Sequence, residues 1–157
     1  MTTYEQSTGK WYLSNGTLLG TGYAGHGDGK NNPLAESIKG IGPLPAGTYN
    51  ATKLYERHPD LGWYAIQLEP DADTRSKILS YGRSPDSFFV HGENPAHEGE
   101  SSEGCIIQWR TTRLDFWEGD DHGITVVPGP STHVDSIFDV AARLDAAGKP
   151  ISFPRSL

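Results

Sequence analysis

The sequence holds a single cysteine, a single methionine and no long apolar run. Each scarcity excludes something. One thiol cannot form an intrachain disulfide or a multi-cysteine zinc site, so any role for Cys105 is the role of a thiol. No stretch approaches the roughly 18 apolar residues that a membrane-spanning helix requires. The opening residues, Met1-Thr2-Thr3-Tyr4-Glu5-Gln6, carry neither a basic n-region nor an apolar h-region, which predicts synthesis in the cytoplasm without a signal peptide. Basic side chains are also few, 13 against 20 acidic ones. The net charge of −7 repels polyanions, and no nucleic-acid partner is expected.

Turn chemistry is abundant instead. Nineteen glycines and eleven prolines make up nearly a fifth of the 157 residues, against a usual share of roughly 12%. A hydrophobic content of 35% beside 21% charged residues belongs to a globular chain. A chain of this length buries roughly 70% of its unfolded surface, so one domain over 1–157 is expected.

The first two-thirds reads as short strands between turns. Lys10 to Ser14 predicts a first strand, Asn15-Gly16 a hairpin turn, and Thr17 to Ala24 the returning strand. Gly25 to Pro33 is too glycine-rich for a strand and reads as a loop. Gly42-Pro43-Leu44-Pro45-Ala46-Gly47 is a rigid turn before a strand from Thr48 to Tyr55. Trp63 to Leu68, Ser87 to Val90 and Gly123 to Val127 predict further strands, and Cys105 to Trp109 is a short apolar run. Helices are expected only in the C-terminal third. One starts near Thr111 or Thr112 and carries Leu114 and Trp117. The other places Val134, Ile137, Phe138, Ala141 and Leu144 at helical spacing, with Thr132 and Asp135 at its start and Gly148 and Pro150 at its end. The fold class is mainly β (α+β) with two C-terminal helices.

The chemistry concentrates between Phe88 and Gln108. A strand ends at His91, a 13-residue loop follows, and Cys105 emerges from Ser101-Ser102-Glu103-Gly104. A thiol beside an imidazole is the minimal nucleophile–base pair for acyl transfer. Gly104 allows close backbone approach to a substrate and helps aim the Cys105 N–H at an oxyanion. A lone cysteine next to isoleucines also reads as a small buried hydrophobe, and both readings stay open at this level. Glu93, Glu98, Glu100 and Glu103 would raise the thiol pKa while favouring imidazolium, which allows a thiolate–imidazolium pair. A mixed metal set of His91, His97, Cys105 and a glutamate is irregularly spaced, and no metal is expected.

Val90-His91-Gly92 followed by Ser102-Glu103-Gly104-Cys105-Ile106 resembles the active-site signature of L,D-transpeptidases. The nearer likeness is to the L,D-transpeptidase-like effectors delivered by type VI secretion. It runs from about Trp11 to Trp109. Further elements are Ser7-Thr8-Gly9-Lys10, Tyr23 to Pro33, Gly42 to Tyr49 and Gly82-Arg83-Ser84. Housekeeping members have histidine just before the Gly-Cys pair, where this chain has Glu103, as the effector-like subfamily allows.

The resemblance implies an L,D-transpeptidase-like β-sandwich or barrel and a cysteine L,D-transpeptidase or L,D-carboxypeptidase acting on peptidoglycan tetrapeptide stems. Cys105 is then the nucleophile and His91 its base, oriented by a backbone carbonyl. The N–H groups of Cys105 and Gly104 are the oxyanion donors. Substrate contacts are expected from Arg83, as a fork for the terminal carboxylate, and from Gly92, Ser102, His26, Lys30 and Asn31. Arg83 also reads as a surface ion-pair residue, and the Gly25 to Pro33 loop as a turn held together by asparagine and aspartate side chains. Tyr81, Trp63, Trp109 and Trp117 read as core or rim aromatics. No cofactor is implied. The expected partners are stem peptides, the secretion machinery and a periplasmic immunity protein, with action in the periplasm of target bacteria. A phage-type hydrolase cutting another bond and a non-catalytic peptidoglycan-binding module are the alternatives.

Overall fold

The computed structural model describes residues 1–131. Within them, turn residues divide the chain into strands β1 (Thr2–Glu5), β2 (Lys10–Tyr12), β3 (Leu18–Thr21), β4 (Tyr23–Ala24), β5 (Gly47–His58), β6 (Gly62–Pro70), β7 (Phe89–His91), β8 (Ile106–Ile107) and β9 (Gly123–Val127). Two helices, α1 (Ala72–Ser80) and α2 (Arg110–Glu118), lie between them.

All nine strands belong to one sheet in the order β3-β2-β1-β9-β5-β6-β7-β8-β4. The two ends of that order are consecutive in sequence, separated by Gly22 alone, so the sheet curls until its edges meet. Gly22 donates its N–H to Gly9 O at 2.8 Å, and Gln108 Nε2 reaches the same carbonyl at 3.1 Å. A Cβ on Gly22 would stand 1.7 Å from Ile107 O, so the seam closes only without a side chain. The result is a mainly β, nearly closed barrel with two helices.

Side chains on the inner face fill it. Tyr4, Trp11, Leu44, Tyr49, Ile66, Leu68, Val90, Ile106 and Ile124 are buried, and α2 adds Phe116, whose ring lies 4.4 Å from that of Trp11. Removing such a ring costs about 3–5 kcal/mol.

Several expected elements take a different form. The N-terminal strand is β1, ahead of the Lys10 hairpin, and it pairs in parallel with β9. Its few residues alternate, with Thr2 and Tyr4 inward, a pattern too short to stand out in the sequence. The hairpin return is broken at Gly22 into β3 and β4, which bond to opposite edges of the barrel.

The helix α1 corrects the expectation that helices are confined to the C-terminal third. Asp71 caps it by accepting from the Thr74 N–H, and only Thr74 and Ile78 are buried. Two inward residues one turn apart leave almost no periodic signal. The helix α2 starts at Arg110, close to expectation, but buries Thr112, Arg113 and Phe116, while Leu114 and Trp117 are half-buried. The helix expected from Val134 to Leu144 lies outside the described residues.

Candidate active site

The strands β7 and β8 pair in parallel, with Val90 opposite Ile106 and His91 opposite Ile107. This register sets the two strands end beside end, with Cys105 level with Phe89, and joins residues separated by the whole 92–104 loop. Cys105 stands just before β8, and its sulfur accepts the Phe89 N–H at 3.4 Å and contacts Ser87 O at 3.5 Å. His91 is buried, and its Nδ1 lies 2.9 Å from Gly92 O. A carbonyl only accepts, so Nδ1 carries the proton and Nε2 keeps its lone pair. The two side chains line one cavity of about 1110 Å³ and are not hydrogen-bonded to each other. Such pairs are often long before substrate arrives.

Burial sets the charge state of both groups. It pushes the Cys105 thiol up to about 11, outweighing the Phe89 N–H and the Arg83 charge, which act in the opposite direction. Burial likewise lowers the His91 pKa, helped by the charge of Arg113 and opposed by the bond to Gly92. At neutral pH the resting pair is thiol and neutral imidazole, not the thiolate–imidazolium pair allowed by the glutamate-rich loop. Desolvation dominates, and the loop carboxylates are secondary.

The loop has its own anchors. Glu93 accepts from Tyr23 OH and from Ser101 Oγ, while the Tyr23 oxygen accepts the Ser101 N–H at 3.1 Å. Lys30 Nζ donates to Gly99 O at 3.0 Å and lies over the Tyr23 ring. His26 Nδ1 meets Ser102 O at 2.9 Å. Asn31 accepts from the Ala24 N–H with φ at +51°. None of His26, Lys30 and Asn31 lines the cavity. His26 and Lys30 fasten the 92–104 loop that lines it, while Asn31 ties its own segment to Ala24.

Ser102 is fully buried and ties the turn before Cys105. Its Oγ accepts from the Gly25 and Gly104 N–H groups, at 2.8 and 3.1 Å, and donates to Cys105 O. The Gly104 N–H, expected to face an oxyanion, is therefore occupied. What Gly104 supplies is shape: φ is +136°, and a Cβ there would lie 2.5 Å from Arg83 Nη2.

Arg83 differs most from expectation. It is 5% exposed, and its two terminal nitrogens donate to four carbonyls: Glu36 at 2.7 Å, Pro43 at 2.8 Å, Gly42 at 3.2 Å and Glu103 at 3.0 Å. Its plane also packs over Phe88. The fork expected to grip a carboxylate is used to hold the 36–43 segment against the turn that carries Cys105.

Arg83 and Lys39 also line the cavity, and α2 adds two further cations to its wall, Arg110 and Arg113, with His58 and Trp63 nearby. Sequence reasoning missed the two arginines of α2. The available signal was Arg110-Thr-Thr-Arg113, an i, i+3 pair on a helix beginning just after the cysteine segment. Among the described residues, no three His, Cys, Asp or Glu side chains gather at metal-binding positions. No helix among them is long and apolar enough to cross a membrane.

The Tlde1 domain model matches residues 20–123, about two thirds of the chain, from the seam of the barrel to the first residue of β9. The chain belongs to the Tlde1 domain family. This is a family of type VI secretion effectors, which places the protein among domains delivered into target cells. The Tlde1 match takes in His91, Cys105, the loop between them, Arg83 and α2. A search of curated proteins finds no match.

Proposed function

We propose that this protein is a cysteine-dependent L,D-transpeptidase or L,D-carboxypeptidase that acts on peptidoglycan tetrapeptide stems as an antibacterial effector. The observation that carries the reading is the free Nε2 of His91 in a cavity shared with the Cys105 sulfur, set by the Nδ1 bond to Gly92 O. That is the tautomer a general base requires.

The neutral resting pair determines the order of events. Cys105 attacks the carbonyl of the third stem residue while its proton passes to His91 Nε2, so no free thiolate accumulates. The Cys105 N–H is the oxyanion donor. As the C–N bond breaks, His91 returns the proton to the departing amine and D-alanine leaves. The thioester is then taken by water, by a free D-amino acid, or by the side-chain amine of a second stem. These acceptors give trimming, exchange and cross-linking. Arg83, Ser102 and Gly104 keep the nucleophile turn in place, and His26 and Lys30 hold the 92–104 loop that lines the site. An effector with this chemistry acts on the cell wall of its target, and its producer requires an immunity protein.

Mass spectrometry of tetrapeptide muropeptides tests this, with and without added D-methionine and beside Cys105→Ala. Loss or exchange of D-alanine that stops in the variant is the expected result. Intact peptide bound by the protein would mean a binding module, and cleavage that survives the substitution would mean a different hydrolase.

A further inference from the structure

The site contains a buried cation that the chemistry above does not use. Arg113 is 5% exposed, and among the described residues no carboxylate pairs with it. Its Nη1 donates to the carbonyls of Trp63 and Tyr64 at 3.1 and 3.4 Å. Tyr64 sits at φ +55°, a costly conformation for a tyrosine and one held at this contact. Nε is buried without a partner, and no described residue hydrogen-bonds Nη2. One edge of the planar fork is thus held by backbone while the other has nothing to hold.

The surroundings favour an anion. Arg110 lies one turn earlier on the helix, over the Tyr64 ring, and no capping side chain covers the first turn of α2. Burial and the Arg110 charge lower the Arg113 pKa to about 10, the mark of a cation short of negative charge. Both arginines line the cavity of Cys105 and His91.

Position identifies which anion. A Cβ added to Gly92 would lie 3.0 Å from Arg113 Nη2, and Gly92 is the residue whose carbonyl orients His91. The amine that receives the His91 proton belongs to the leaving residue. Its α-carboxylate is one carbon away.

We propose that Arg113, supported by Arg110, is the carboxylate anchor of this site and selects peptides whose leaving residue ends in a free α-carboxylate. This rests on the acyl-transfer reading above. It replaces Arg83, whose two terminal nitrogens are already occupied, with a residue whose Nε and Nη2 have no partner among the described residues.

The test has two arms. In the first, a tetrapeptide ending in D-alanine and its C-terminal amide are compared as substrates. Wild type should prefer the acid by roughly tenfold to a hundredfold in kcat/KM, and Arg113→Met should bring the ratio close to one. Equal turnover of acid and amide by wild type, or a proportional loss of both in the variant, overturns the proposal.

The second arm needs no turnover: Cys105 is alkylated with iodoacetate and with iodoacetamide. Arg113→Met should lower the iodoacetate-to-iodoacetamide rate ratio about tenfold, the size of one charge-assisted contact. An unchanged ratio overturns the anchor. Inert peptides together with an Arg113-dependent ratio would keep the anchor and reject the reaction. Arg113→Lys keeps the charge without the fork, and serves where the methionine variant does not fold; it should lose most of the acid preference and only part of the iodoacetate preference.

Discussion

The Phe89 amide donates to the Cys105 sulfur at 3.4 Å, and the same strand presents His91 two residues further on. One edge of β7 therefore cradles the Cys105 sulfur while its end presents the His91 imidazole. The sulfur lies half-buried against backbone, and that desolvation is why it rests as a thiol.

That resting state predicts the alkylation profile. With the Cys105 thiol at about 11, the iodoacetamide rate should climb about tenfold per pH unit from pH 7 to 10, following the thiolate fraction. A plateau already reached at pH 8 would reveal a thiolate–imidazolium pair instead.

His91 predicts an acid-side loss of stability. Its folded pKa is lowered by burial, so between that value and the unfolded pKa of about 6.5 the unfolded chain binds the extra proton. Stability is therefore full above about pH 6.5 and falls as pH drops toward the folded value. His91→Asn should flatten this part of the melting-temperature profile. A variant as steep as wild type between pH 6.5 and 5 would assign the loss to other groups.

Arg83 should behave as a structural residue. Arg83→Lys removes most of a four-carbonyl clamp in a buried setting and should cost about 3 kcal/mol, roughly 10 °C in Tm. A substrate clamp would behave differently: Tm would hold and KM would rise. Thermal unfolding together with steady-state kinetics distinguishes the two.

Tyr23→Phe isolates the loop anchor. It removes the hydroxyl that joins Glu93 to the Ser101 amide, so amide exchange over residues 93–101 should accelerate. Global stability should fall by no more than about 1.5 kcal/mol, the worth of one such bond. Unchanged exchange would show that Lys30 and His26 suffice to hold the loop.

Much of this molecule was readable in its sequence. The strands β5, β6 and β9, the loop at Gly25 to Pro33 and the His91–Cys105 segment all rest on local turn chemistry and alternating patterns, which a linear chain displays, whereas the pairing of β5 with β6 did not show in the sequence. The short β1 and the two-residue stripe of α1 did not, because so few inward residues give no period to detect.

The sequence by itself determined which residues are candidates for chemistry, one thiol and a histidine at a strand end, and placed glycines where side chains do not fit. Only the tertiary structure decided how two arginines divide their work. Arg83 and Arg113 are both buried, but neighbouring backbone engages both terminal nitrogens of one guanidinium and only Nη1 of the other, whose Nε is buried without a partner. A guanidinium's role depends on which acceptors surround it. Those acceptors come from segments far apart in the chain, so no local pattern encodes them.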